Sequence, residues 1–214
     1  MKSFLVIGVG KFGHHLCRNL ARNNCEIMII DKDEEHIDDL LPYVTNAKIG
    51  DCTNQEVLQS LGVSNFDVCF VCIGENFQSS LEVTSLVKEM GAKSVVSLAS
   101  RDIHAKFLLR NGADSVIYPD RDIAERVAKK YSKTTIFDYI ELDSEYGIYE
   151  IPPFPESIGK TIQEVNFRSK YEANIIGYRK EGKTHMMPTA DYVFKEDEHL
   201  IVVGKSKKLD KVIS

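Results

Sequence analysis

Phe4-Leu5-Val6-Ile7-Gly8-Val9-Gly10-Lys11-Phe12-Gly13-His14-His15-Leu16 carries an apolar, β-branched run into three glycines spaced G-x-G-x-x-G. A helical pattern follows, with Leu16, Cys17, Leu20 and Ala21 on one face. The order is therefore strand, tight turn, helix. Gly8 permits the turn off the strand, Gly10 leaves room for a pyrophosphate against the backbone, and Gly13 allows close packing of helix on sheet. The helix start then offers unpaired N–H groups and the positive end of its dipole to an anion.

Glu26-Ile27-Met28-Ile29-Ile30-Asp31 reads as the next strand and sets a carboxylate at its end, where the fingerprint expects one. Asp31 is placed to accept hydrogen bonds from two ribose hydroxyls and would repel a 2′-phosphate. That favours NAD or an adenosine nucleotide over NADP.

Further strand and helix patterns alternate along the chain. A helix is expected from Glu34 to Leu41, ending before Pro42. Ala47–Asp51 reads as a strand, and Thr53 or Asn54 is available to cap the helix that contains Val57, Leu58 and Leu61. Asp51 then falls at the carboxyl edge of the sheet, with ligand contact and local capping both open to it. The strand Val68–Ile73 ends at Gly74-Glu75-Asn76, where glycine lets a base lie against the backbone and the polar pair can meet it. The helix with Val83, Leu86, Val87 and Met90, the strand Ser94–Ala99, the helix closed by Asn111-Gly112 and the strand Ser115–Tyr118 complete the series. Such alternation predicts an α/β fold, a Rossmann-like doubly wound parallel sheet covered on both faces, over residues 1–120. Residues 121–136 read as a crossover helix with a wide apolar arc (Ile123, Ala124, Val127, Ala128, Tyr131) and a polar linker, Ser132-Lys133-Thr134. Residues 137–214 change to short strands separated by turn clusters, a small α+β lobe.

The 214 residues carry a net charge of −5, which gives no electrostatic case for nucleic acid. No apolar run reaches membrane-span length, and a first strand starting almost at Met1 leads to the expectation of no signal peptide and a cytoplasmic location. Five cysteines without framework spacing suit a reducing compartment. Cys69 and Cys72 have C-x-x-C spacing but lie in a strand pattern, where residues three apart face opposite ways, so both read as core. The six histidines show no metal-ligand spacing and no acid–base constellation. A sensor of nucleotide fits better than a catalyst, with a small NAD-dependent oxidoreductase and a ligand-free interaction module as the alternatives.

Taken in order, Ile7–Gly13, Asp31, Ile49-Gly50-Asp51-Cys52-Thr53, Ile73-Gly74-Glu75-Asn76, Gly112-Ala113-Asp114 and Tyr118-Pro119-Asp120-Arg121-Asp122 resemble the RCK domains of bacterial potassium-uptake regulators of the Ktr and Trk type. Phe167–Tyr171 and Leu200–Gly204 resemble the C-terminal lobe of the same family. The resemblance implies a homo-oligomeric ring of dimers, tetrameric or octameric, on the cytoplasmic face of a potassium-translocating membrane subunit. It implies ATP, ADP or NAD(H) in the Rossmann cleft, held by Gly8, Gly10, Lys11, Phe12, Gly13, Asp31, Lys32, Asp51, Cys52, Thr53, Ile73, Gly74, Glu75, Asn76 and Arg101. It further implies packing of the 121–131 helix across the dimer, cyclic di-AMP near Arg168, Asn174, Ile175, His185 and Pro188, and a divalent cation at Asp120. Three positions depart from the family pattern. Lys11 replaces an arginine and lacks its bidentate fork; Leu98 replaces a basic residue, with Arg101 nearby; and Asp120 is shorter than the usual glutamate.

Overall fold

The protein, a computed structural model, is described over residues 1–131, 138–143 and 145–213, with side chains at all of these except 129, 130, 141 and 210–213. It folds as two compact units, Met1–Asp120 and Arg121–Ser214.

In the first unit the chain runs β1 (Ser3–Ile7), α1 (Lys11–Ala21), β2 (Glu26–Asp31), α2 (Glu34–Asp38), β3 (Asn46–Ile49), α3 (Gln55–Gln59), β4 (Val68–Val71), α4 (Phe77–Glu89), β5 (Val95–Leu98), α5 (Asp102–Arg110) and β6 (Ser115–Ile117). The strands form a parallel sheet in the order β3-β2-β1-β4-β5-β6. From β1 the chain moves outward through β2 and β3, then returns to the other side of β1 at β4. The crevice between the ends of β1 and β4 is thus the topological switch point, where open α/β sheets bind ligands.

Alternation of side chains along the strands makes a core on each face. Leu5, Ile7, Ile30, Val71 and Val95 pack against Leu58, Val83 and Val87 of α3 and α4, while Val6, Ile27 and Ile29 pack with Cys17, Ile37 and Leu40 on the other side. Each such side chain, fully buried, contributes about 1.5–3 kcal/mol. Cys69 belongs to the first cluster and Cys72 to the second, so the C-x-x-C pair is split by the sheet. Burial pushes the thiols of Cys17, Cys52 and Cys69 up to about 12, well away from reactive thiolates. The helix expected over 34–41 ends earlier, at Asp38, and Pro42 falls inside a separate 3-10 turn, Leu41–Tyr43, whose first residues need no N–H donor.

The helix α6 (Pro119–Tyr131) begins at the end of the first unit. The linker read at Ser132-Lys133-Thr134, and Phe137, lie outside the described residues. The second unit continues with β7 (Asp138–Glu141), β8 (Tyr146–Ile151), α7 (Ile162–Val165), α8 (Phe167–Tyr171), β9 (Ala173–Lys180), β10 (Lys183–Met186), β11 (His199–Lys205) and α9 (Ser206–Ile213). Its antiparallel sheet has the order β10-β9-β11-β8-β7. One face buries Tyr149, Ile151, Leu200 and Val202 against an aromatic layer of Phe167, Tyr171 and Phe194. Phe154 stacks on Tyr171 at 4.6 Å, within the range where aromatic pairs add to area burial. A capping box, with Thr161 and Glu164 exchanging side-chain and backbone bonds, starts α7. The sequence pattern did not reveal β7, β10 or α9.

Candidate functional site

The carboxyl ends of the parallel strands surround a cleft of about 910 Å³ in the first unit. Three helices opening near this edge satisfy their first N–H groups from their own side chains. Asp33 caps α2, Asn54 caps α3 and Asn76 caps α4, each accepting a backbone N–H at 2.9–3.1 Å. Helix α1 differs: its N-cap is Gly10, which supplies no side-chain bond, and its first turn holds no acid. The N–H groups at its start, which a helix cannot satisfy internally, therefore stay available beside Gly10 and Lys11 in the cleft lining.

The three glycines divide the work. Gly8 has φ +83°, a left-handed conformation that side-chain-bearing residues rarely adopt. Gly13 is packed under the turn, and a Cβ there would lie 2.4 Å from the Gly8 carbonyl oxygen. At Gly10 a Cβ would meet no atom within 4 Å. The open space at Gly10 belongs to the cleft, so the fold itself does not need that glycine.

Asp31 stands at the end of β2. One of its oxygens accepts the Val9 N–H at 2.7 Å and the other accepts the Asp33 N–H at 3.0 Å, while His36 Nδ1 lies 3.5 Å away. The carboxylate thus braces the glycine turn from the neighbouring strand and still has lone pairs for further donors. Asp51 closes a turn after β3 by accepting the Thr53 N–H and hydroxyl at 2.9 and 2.8 Å, and these bonds hold its carboxyl below the usual range. Helix capping passes instead to Asn54.

Of the residues expected at the site, Gly8, Gly10, Lys11, Phe12, Asp31, Lys32, Asp51, Cys52, Thr53, Ile73, Gly74, Glu75 and Asn76 all line this one cleft, as does Asp120. Gly13 lies behind it as packing. Arg101 is not among the lining residues and departs from the expectation: it sits one residue beyond Ser100 in extended backbone, and its guanidinium lies over the Phe77 ring at 5.2 Å. Leu98 does line the cleft, making that stretch of wall apolar. Sequence reasoning missed His36, Ser79, Ser100 and Pro119 as lining residues. Asp120 contributes one carboxylate, and among the described residues no three His, Cys, Asp or Glu side chains gather to hold a metal ion.

In the second unit Arg168, Asn174 and His185 are exposed and Pro188 is partly so, whereas Ile175 packs against the lobe's core. Asn174 and Ile175 are neighbours on β9 and face opposite sides of the sheet. His185 stacks on Tyr178, which stacks in turn on Tyr192, with ring centroids 4.8 and 4.4 Å apart.

A doubly wound sheet with its cleft at the switch point, a glycine-opened and uncapped first helix, and an acid closing the second strand together define a Rossmann-type domain. Comparison with known proteins narrows this. Residues 4–119 match the TrkA-N domain and residues 148–214 the TrkA-C domain. The chain is 36% identical over 203 residues to Ktr system potassium uptake protein C of Bacillus subtilis (strain 168), covering 95% of this chain and 92% of that protein. It is 32% identical over 210 residues to Ktr system potassium uptake protein A of the same organism, covering 98% and 95%. Among solved structures the GsuK channel superposes with a TM-score of 0.71 at 19% identity, covering 99% of this chain and 38% of the channel's; the GsuK channel bound to NAD gives 0.67 at 21%, covering 97% and 38%. The chain belongs to the RCK family of potassium-transport regulatory proteins, with its TrkA-N and TrkA-C domains in order. The two Ktr relatives are potassium-uptake proteins, not enzymes. Among the described residues no helix is long and apolar enough to cross a membrane.

Proposed function

We propose that this chain is a nucleotide-responsive regulatory subunit, working at the cytoplasmic face of a potassium-translocating membrane partner and gating it. The observation that carries the nucleotide part is the uncapped start of α1, opening with Gly10 into a cleft that also contains Asp31. An adenosine fits the half of the cleft nearest β2, with its ribose at Asp31 and its phosphates at the α1 turn, and ATP, ADP and NAD(H) share that portion. NAD in one structural neighbour supports the choice. The transport part rests on the Ktr relatives, which match this chain along nearly its full length.

A regulatory ligand acts by binding two shapes of its protein unequally, and an equilibrium shifts only by that difference in affinity. The reading assigns the shapes to a ring of dimers, tetrameric or octameric. Helix α6 would form the dimer contact through Ile123, Val127 and Tyr131, which in the single chain are 61%, 48% and 78% exposed. Leaving three large apolar groups on one helix in water is explained if a second copy covers them. The same reading extends to cyclic di-AMP at Arg168, Asn174, Ile175, His185 and Pro188 of the second lobe, and to a divalent cation at Asp120 shared with a second chain.

Asp31→Ala tests the nucleotide assignment. Losing an acceptor for buried hydroxyls costs about 1–3 kcal/mol, so affinity measured by calorimetry should fall roughly 5- to 150-fold. Asp31→Asn, which keeps one acceptor for the Val9 N–H, should retain more of it. Unchanged binding in Asp31→Ala would remove the carboxylate from the site.

A further inference from the structure

The buried polar side chains of the first unit are Ser80, Thr84, Ser97 and His104, all fully buried, and they form one seam between α4, β5 and α5. Ser80 and Thr84 sit one turn apart on α4, on the face that also buries Val83 and Val87. Thr84 bonds Ser97 of β5 at 2.9 Å, and Ser80 bonds His104 Nε2 of α5 at 3.1 Å. The other ring nitrogen of His104, Nδ1, receives the main-chain N–H of Ser100 at 3.3 Å and lies 3.3 Å from the Ser100 hydroxyl. A backbone N–H can only donate, so Nδ1 is the bare nitrogen and Nε2 carries the proton, which goes to Ser80. Burial, and after it the Arg101 guanidinium, keeps the imidazole pKa below its ordinary value, in keeping with a neutral ring.

Placing polar groups in an apolar interface costs free energy unless each is paired, and a hydrophobic seam would hold α4 to β5 as well. What the polar seam adds is direction. It ends at the cleft: Ser100 lines it, and so do Asn76, one turn before Ser80, and Ser79, the residue next to it, at the start of α4. His104 does not reach the cleft itself. It ties the loop after β5 to the first turns of α4, across the half of the cleft formed by β4 and β5. Asp31 and the α1 turn lie on the other half, where adenosine and its first phosphate belong.

We infer that His104 is a positioning residue for the far half of the nucleotide cleft, fixing the Ser100 rim against the start of α4 so that it grips the part of a ligand that extends beyond the α-phosphate. The inference rests on the nucleotide reading of the cleft. It predicts that loss of His104 weakens a long dinucleotide and spares a short mononucleotide, which a general loss of packing would not do.

The test is calorimetry of the full-length chain with AMP and with NADH, for wild type, His104→Leu and His104→Asn, each with a melting curve. Asparagine keeps an acceptor on Cγ, close to where Nδ1 stands, while leucine fills the space without one. Wild type should bind NADH more tightly than AMP. His104→Leu should lose about tenfold in NADH affinity with AMP affinity unchanged, and His104→Asn should recover most of the loss, the sizes expected from one buried hydrogen bond. Equal losses for both ligands, no loss in the leucine variant, or a wild type that gains nothing from NADH over AMP would overturn the inference. A wild type that binds neither ligand, nor ATP or ADP, would instead overturn the nucleotide reading. A measurement independent of variant folding is the imidazole ¹⁵N spectrum of the wild type. His104 should show the Nε2–H tautomer and shift on adding NADH but not AMP, and a spectrum blind to NADH would count against its role.

Discussion

Gly10→Val should fold and melt like the wild-type chain while losing nucleotide binding. The backbone at Gly10 has φ −59°, open to any side chain, and a Cβ built there meets nothing within 4 Å. The isopropyl group would occupy the space above the α1 turn that phosphates need. The side chain would push the phosphates away from the α1 N–H groups, so the penalty falls at the upper end of the overpacking range, about 3 kcal/mol or roughly a 150-fold loss of affinity. Gly13→Ala is the contrasting variant. Its methyl would sit 2.4 Å from the Gly8 carbonyl oxygen, a backbone atom that cannot swing aside, so the turn must move and the melting temperature should fall. Two glycines of one motif thus separate binding from folding. A Gly10→Val chain that binds ATP, ADP or NADH as tightly as wild type would mean that the phosphates lie elsewhere.

The second large effect is expected on α6. Ile123→Asp combined with Val127→Asp places two carboxylates on the exposed apolar stripe. Covering one such side chain in a dimer contributes up to about 1.5–3 kcal/mol, and a buried unpaired carboxylate adds a further penalty. The dimer should therefore weaken by more than roughly 100-fold per copy of the face, and light scattering across a dilution series should show the mass falling below that of the wild type. Since Ile123 and Val127 are exposed in the single chain, its own fold should be unaffected. A variant that keeps the wild-type mass at low concentration would remove α6 from the interface.

Much of the first unit was legible because its residues obey strong local rules. The glycine turn, the acid closing β2 and the cap of α3, read as Thr53 or Asn54 and found at Asn54, all act within a few residues of their position in the chain, whereas the cap of α4 at Asn76 was not read as one. The cleft follows from strand order, so residues at the ends of β1 to β4 could be named before their contacts were visible. His36 and Ser79 were not, since each line the cleft from the first turns of a helix, and which side of a short helix faces inward depends on where it starts. His104 was read as one scattered histidine among six. Its signal was present: it lies four residues before Leu108, also fully buried, and so shares the core face of α5. Arg101 was misplaced for a related reason, since charge and proximity in sequence suggested the cleft whereas the extended backbone carries its guanidinium to Phe77. In the second unit β10 consists of Lys183, Thr184, His185 and Met186, all exposed on an edge strand, which leaves no alternation of burial to detect.

The central claim is that nucleotide in the cleft controls the assembly. Its most direct test is light scattering combined with small-angle X-ray scattering on the purified full-length chain, without ligand and then with ATP, ADP or NADH, each sample also melted. The account predicts an oligomer built from dimers, a melting temperature raised by at least one of these nucleotides, and a scattering profile that differs between two of the ligand states at constant mass. A monomer, or an oligomer whose melting temperature and scattering profile are the same in all four conditions, would contradict it.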